Sequence, residues 1–218
     1  MKYVGMPLGM WVLFSKSFRN NLSIFNIDKK ERREINKLAK KKYKAIIKKI
    51  PNFEKGDRFK MNIISCSMFI SYISNIKDKP SLEDVTIWYN NSMTTKTLKI
   101  FCKMSGKSKF KAKTIKNLEK TMNFKAADRN PYSWNMEFYP YPNDKGYEVR
   151  FTKCGICHLL KEYDLFMYAS ALCQLDYTMS KLGGTSIFKR DKTIANRDPY
   201  CDCGYYKKEQ KIPQKGDK

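Results

Sequence analysis

Trp134-Asn135-Met136-Glu137-Phe138-Tyr139 alternates in side-chain character, and after Pro140–Gly146 the run Tyr147-Glu148-Val149-Arg150-Phe151-Thr152 alternates again. A period of two is a strand signal, so these runs predict two strands paired as a hairpin. The chain before them has another rhythm. From Asp28 to Ile50 the apolar residues Ile35, Leu38, Ala39, Tyr43, Ile46, Ile47 and Ile50 fall at helical spacing among lysines, and that helix should end before Pro51. Between Arg58 and Ile76 apolar residues surround most of the circumference, which predicts a central buried helix with Cys66 in its packing. Ser81-Leu82-Glu83-Asp84 resembles a capping box and should start a helix through Val85, Trp88 and Tyr89. Further helical stretches are expected at Thr94–Met104 and Lys109–Met122.

After the hairpin the pattern predicts a helix pair, the second running from about Leu165 to Leu182 and closed by Gly183-Gly184, where a left-handed cap is expected. Thr185–Arg190 and Tyr200–Lys207 read as the last two strands. The layout is an α+β fold: N-terminal helices packed with a small antiparallel sheet into which a helix pair is inserted. Residues 1–207 are expected to form one α+β domain, mainly helical in 1–125 and carrying the sheet and two helices in 126–207, with 208–218 as a polar tail. Val4–Phe14 resembles the apolar part of a signal peptide, but Lys16 and Arg19 interrupt it and no cleavage signature follows. Met1–Phe18 is therefore read as a helix packed on the core or a terminal anchor.

The 218 residues are 42% hydrophobic and 14% aromatic, which excludes a wholly disordered chain. The 44 Lys+Arg against 21 Asp+Glu leave a net charge of +23, unevenly spread. Residues 28–60 and 96–125 carry +9 each, whereas residues 147–206 carry only +1. Of the basic residues 36 are Lys and 8 are Arg, a bias that does not suit phosphate recognition by arginine forks, so nucleic acid is disfavoured as the partner. No run of 18 apolar residues is present, and no membrane span is expected. Seven cysteines, an odd number in a chain long enough to build its own core, point to a reducing, cytoplasmic setting.

Five of those cysteines and the only histidine lie in the nearly neutral segment, which makes it the first place to look for chemistry. Cys154 and His158 would share a face if the chain is helical there, placing a thiol beside an imidazole as a nucleophile requires. The same spacing fits a thiol packed as a small apolar group with a surface histidine. Leu165, Ala169, Leu172, Asp176 and Met179 recur on one stripe, so Asp176 should be paired, protonated or turned into a cavity. Cys173 precedes it by three residues. On the last strand Cys201 and Cys203 project to one face, and Asp202 to the other. Cys154, Cys157 and His158 with Cys201 and Cys203 could offer ligands to zinc, but Cys-x-Cys on a strand is not the usual knuckle, and no metal is expected. Phosphate loops, nucleophile elbows and dinucleotide fingerprints are absent, so no cofactor is expected.

The run Arg129-Asn130-Pro131-Tyr132-Ser133-Trp134, the strand ending in Phe151-Thr152-Lys153-Cys154, the helix bearing Leu172-Cys173-Gln174-Leu175-Asp176-Tyr177, and Thr193-Ile194-Ala195 leading to Tyr200-Cys201-Asp202 together resemble the L-2-amino-thiazoline-4-carboxylic acid hydrolase family over about residues 55–206. That resemblance implies a cofactor-free hydrolase that opens the thiazoline ring of a small anionic substrate to give N-carbamoyl-L-cysteine. The positions it singles out are Cys154, Cys173, Asp176 and Cys201, with Asp202 beside the last. On this reading Asp176 is the candidate general base, Cys154 the candidate nucleophile or substrate-contacting thiol with His158 near it, Arg150 or Arg197 the cation for the substrate carboxylate, and Trp134 part of the binding motif. The order of strands, helix pair and cysteine-bearing strand also resembles the ligand-sensing V4R domains, which would imply binding without catalysis.

Overall fold

The computed structural model describes residues 7–53, 57, 59–126 and 128–208. Met1–Met6 and nearly all of the expected polar tail lie outside those residues. The first helix, α1 (Pro7–Asn21), packs Met10, Trp11, Phe14 and Phe18 into the core, as the apolar N-terminal stretch requires. Helix α2 (Lys29–Lys49) is capped by Asp28, whose carboxylate accepts from the backbone N–H groups of Lys30 and Glu31. Its buried residues Ile35, Ala39, Tyr43, Ile46 and Ile47 form one stripe, and the charged face is left to water.

Helix α3 (Lys60–Ile73) is the centre of the molecule, with every residue from Ile63 to Ile73 buried. A helix without a polar face needs partners all round. Helices α1 and α2 pack on it from one side, and α4 (Leu82–Met93) joins the same aromatic core through Trp88 and Tyr89. Trp11 stacks on Tyr72 at 5.7 Å, and the Tyr72 hydroxyl donates to Asn36 and to the carbonyl of Ser15. Burying the Tyr72 ring thus leaves its polar tip satisfied.

Helices α5 (Lys96–Ser108) and α6 (Ala112–Lys125) lead to a four-stranded antiparallel sheet. Strands β1 (Asn135–Pro140) and β2 (Gly146–Lys153) form the expected hairpin, and the sheet order is β1-β2-β4-β3, with β3 at Ser186–Lys189 and β4 at Cys201–Lys207. Between β2 and β3 the chain makes α7 (Gly155–Glu162), α8 (Ala169–Cys173) and α9 (Leu175–Gly183). The single helix expected over residues 165–182 is therefore divided: a 3-10 turn occupies Phe166–Tyr168, and the ladder is interrupted again at Gln174, where the carbonyl of Cys173 accepts from Arg190 at 2.9 Å. Gly184 closes α9 in the left-handed conformation at φ 78°. Among the described residues no helix is long and apolar enough to cross a membrane.

Helices α5 and α9 cross at Gly106 and Gly183. A Cβ built on Gly106 would stand 2.3 Å from the carbonyl oxygen of Gly183, a backbone atom that cannot rotate away. Gly106→Ala should therefore prise the two helices apart and cost about 1–3 kcal/mol, read as a fall of several degrees in Tm.

Candidate active site

Asp176 sits in the first turn of α9, which packs against β3. Arg190 follows directly after β3, and its Nη1 donates to Oδ2 of Asp176 at 2.8 Å while Nη2 donates to the Cys173 carbonyl. The guanidinium is nearly buried and lies within 5.5 Å of the rings of Tyr177 and Phe188, so its direction is fixed by packing as well as by charge. Asp176 keeps 43% of its side chain open to water. Burial nevertheless raises its carboxyl above the ordinary range, against the pull of Arg190 and then Lys109. Burial works against the charge on Arg190, but Asp176 more than offsets it and keeps the guanidinium protonated.

Thiols surround this pair. Cys201 and Cys203 both point inward from β4, as their spacing requires. Thr193 links the group: its Oγ1 is 3.4 Å from Sγ of Cys201 and 3.8 Å from Sγ of Cys173, and the Ile194 N–H donates to Cys201 at 3.3 Å. Cys154 terminates β2 and caps α7, within electrostatic reach of Cys66, Cys173 and Cys201. Its thiol is hydrogen-bonded to Cys157, and that contact together with burial raises it well above the usual thiol range. Burial pushes the Cys173 thiol up to about 12 and raises those of Cys201 and Cys203 as well. All four are therefore thiols, not thiolates, at neutral pH. Gly155 lets this corner form, since a Cβ there would meet the Tyr132 carbonyl oxygen at 2.1 Å.

Three further side chains complete the surroundings. Tyr89, from α4, and Tyr205, from β4, both lie close enough to Asp176 for its charge to oppose their ionisation, though burial is the larger cause. Lys109 turns inward between α5 and α6, donating to Ser186 at 3.3 Å with its ammonium 3.8 Å from the centre of the Tyr205 ring. Burial pulls its pKa down to about 8, with Asp176 acting in the opposite direction.

The other residues expected at the site stand elsewhere. His158 is half-buried on α7, against the ring of Tyr132 at 4.9 Å and 3.4 Å from Glu162, because Cys154 is an extended cap residue and does not share a helical face with it. Arg150 lies on the outer face of the sheet, paired with Glu148 and between the rings of Tyr139 and Tyr200. Asp202 is its register partner on that face and accepts from the N–H groups of Asp191 and Lys192. Arg197 adopts φ 68° in the exposed turn before β4, and Trp134 is buried against Phe59 at 5.0 Å. Arg190, Thr193, Lys109 and Tyr89 are the residues that the sequence reading passed over. Among the described residues no three His, Cys, Asp or Glu side chains are arranged to hold a metal ion.

The molecule is thus an α+β protein in which α9, β3 and β4 bring a carboxylate, a guanidinium and several protonated thiols close together. The sequence profile of the L-2-amino-thiazoline-4-carboxylic acid hydrolases matches residues 61–205, and the chain belongs to that family, which supports a hydrolase-like function. No curated protein and no solved structure matches it.

Proposed function

We propose that the protein is a cofactor-free hydrolase of the reducing cytoplasm that opens a small cyclic C=N substrate of the L-2-amino-thiazoline-4-carboxylate type, forming N-carbamoyl-L-cysteine. The observation that carries this reading is Asp176: a partly open carboxylate with raised basicity and an orientation fixed by Arg190. Asp176 takes a proton from water, the oxygen adds to the ring carbon between sulfur and nitrogen, and the C=N π pair moves to the ring nitrogen, which takes up a proton. The carbon–sulfur bond then breaks, its electron pair goes to sulfur, and a proton returns to make the free thiol. Arg190 positions Asp176 and, with Lys109, supplies positive charge for the substrate carboxylate.

Because Cys154 is held as a thiol, it contacts substrate or donates a proton and does not attack as a thiolate. The test is incubation with the thiazoline, following the appearance of free thiol and a product heavier by one water. Wild type should turn over, and Cys154→Ser should stay within about a hundredfold of its kcat, the low end of what general acid–base contacts supply. Complete loss in Cys154→Ser, with a trapped adduct on that residue in wild type, would replace the water mechanism with a covalent one. Absence of any ring opening by wild type would remove the proposed substrate.

A further inference from the structure

The second lysine-rich stretch, residues 96–125, holds a feature that the candidate active site does not use. Helix α5 buries Leu98, Cys102 and Gly106, four residues apart, and so presents the opposite face to water. That face is not uniformly polar. Ile100, Phe101 and Met104 are 60%, 57% and 68% exposed, with Lys96, Lys99, Lys103 and Lys107 set around them. Single exposed apolar residues are ordinary on a protein surface, but three within five positions of one helix form a patch.

At the C-terminal end of this helix the surface opens into a pocket of about 540 Å³ between the α5–α6 turn, the α9–β3 turn and the end of β4. Its cations are Lys107, Lys111, Lys207 and Lys208. Lys207 is turned toward Asp144, while Lys107, Lys111 and Lys208 have no acidic partner among the described residues. Lys107 stands three residues after Met104 and seven after Ile100, so a wall of the pocket and the apolar residues share one helical stripe.

We propose that this stripe and pocket form one docking surface for an anionic phospholipid bilayer. The phosphate of a headgroup occupies the pocket against Lys107, Lys111 and Lys208, and Ile100, Phe101 and Met104 enter the boundary between headgroups and acyl chains. An apolar stripe flanked by lysines is the pattern of a helix that lies in a membrane surface without crossing it. A nucleic acid would reward the lysines but not exposed Ile100, Phe101 and Met104.

Flotation of the full chain with vesicles tests the assignment. Wild type should float with phosphatidylcholine vesicles containing about a third phosphatidylserine and not with pure phosphatidylcholine. The double variant Lys107→Glu/Lys111→Glu should partition more weakly by a factor on the order of thirty or more, since loss of two lysines alone accounts for about that factor. Ile100→Ser/Met104→Ser should lose on the order of tenfold or more at unchanged charge. All four positions are exposed, and unchanged far-UV circular dichroism would show that the variants fold. Equal binding to both vesicle types, or no binding, would overturn the proposal. So would thermal stabilisation by inorganic tripolyphosphate without flotation, which would make the pocket a site for a free polyanion. RNA binding that survives Ile100→Ser/Met104→Ser in a protein that fails to float would assign the surface to nucleic acid instead.

Discussion

Asp176→Asn is expected to lower kcat for ring opening by about two to four orders of magnitude with the fold intact. The amide oxygen can still accept from Arg190, so the buried guanidinium keeps a partner and the packing between Tyr177 and Phe188 has no reason to change. What disappears is the capacity to take a proton. In wild type, activity should rise as Asp176 loses its proton, and because burial raises that carboxyl, the limb belongs above the ordinary aspartate value of about 3.9. The Asn variant should lack the limb.

Removing the guanidinium with Arg190→Gln takes away the attraction that partly offsets burial, so the limb should move to still higher pH, a shift that a purely structural role would not produce. Asp202→Asn is the control: its carboxylate lies on the outer face of the sheet, holding the N–H groups of Asp191 and Lys192, and kcat should be unchanged. An Asp176→Asn enzyme that retains full turnover and the same rising limb would show that another group is the base.

The contrast between Asp176 and Asp202 also shows what could be read from the sequence. Strand period revealed that Cys201 and Cys203 share a face, and the structure has that feature; helical period set Asp176 on an apolar stripe, but the helix is divided at Gln174 and α9 buries Leu175 and Ser180, leaving Asp176 partly open. The strand period already set Asp202 opposite Cys201 and Cys203 and, carried one step further, would have moved two other residues. Arg150 is out of phase with inward Tyr147 and Val149, so it points to the outer face with Asp202. Arg190 is in phase with inward Ser186 and Phe188, and it is the arginine that meets Asp176. Its partner choice was legible, whereas Lys109 and Thr193 were not: they arrive through turns whose direction depends on the Gly106–Gly183 crossing and on hydrogen bonds of Thr193 to Cys201 and Asp198. His158 was misplaced for a local reason, since helical spacing was counted from a residue that caps the helix in extended conformation.

Lys125→Met is expected to produce the largest loss of stability, and the reason lies in the run Arg129–Trp134 that first pointed to the family. Lys125 ends α6 and is 1% exposed. Its ammonium donates to Asp57, to Asp128 at 2.6 Å and to the Ser133 hydroxyl at 2.6 Å, and that hydroxyl in turn donates to Asp57 at 3.2 Å. Lys153, at the end of β2, donates to the carbonyls of Asp128 and Asn130, tying the same loop to the sheet beside Cys154. Two largely buried carboxylates thus share one buried cation. Methionine keeps the length of the side chain but leaves both carboxylates unpaired, which should cost about 3–5 kcal/mol, or roughly 10 °C or more in Tm. The loss should depend on pH with a definite sign. In wild type, burial works against the Asp128 charge, but Lys125 and the Asn130 N–H hold that carboxyl below its ordinary value. Its contribution is present above the unfolded value and fades as pH falls through the lower folded one. Without the cation, only the Asn130 N–H and the Ser133 hydroxyl oppose burial at Asp128, whose carboxyl rises, so the variant should lose stability as pH rises through that raised value. The gap between variant and wild type should therefore be wider at pH 7 than at pH 5. Adding Asp57→Asn to Lys125→Met should recover part of it by removing one orphaned charge. A Lys125→Met protein that melts with wild type at both pH values would show that the four-way cluster contributes nothing to holding the loop against the sheet.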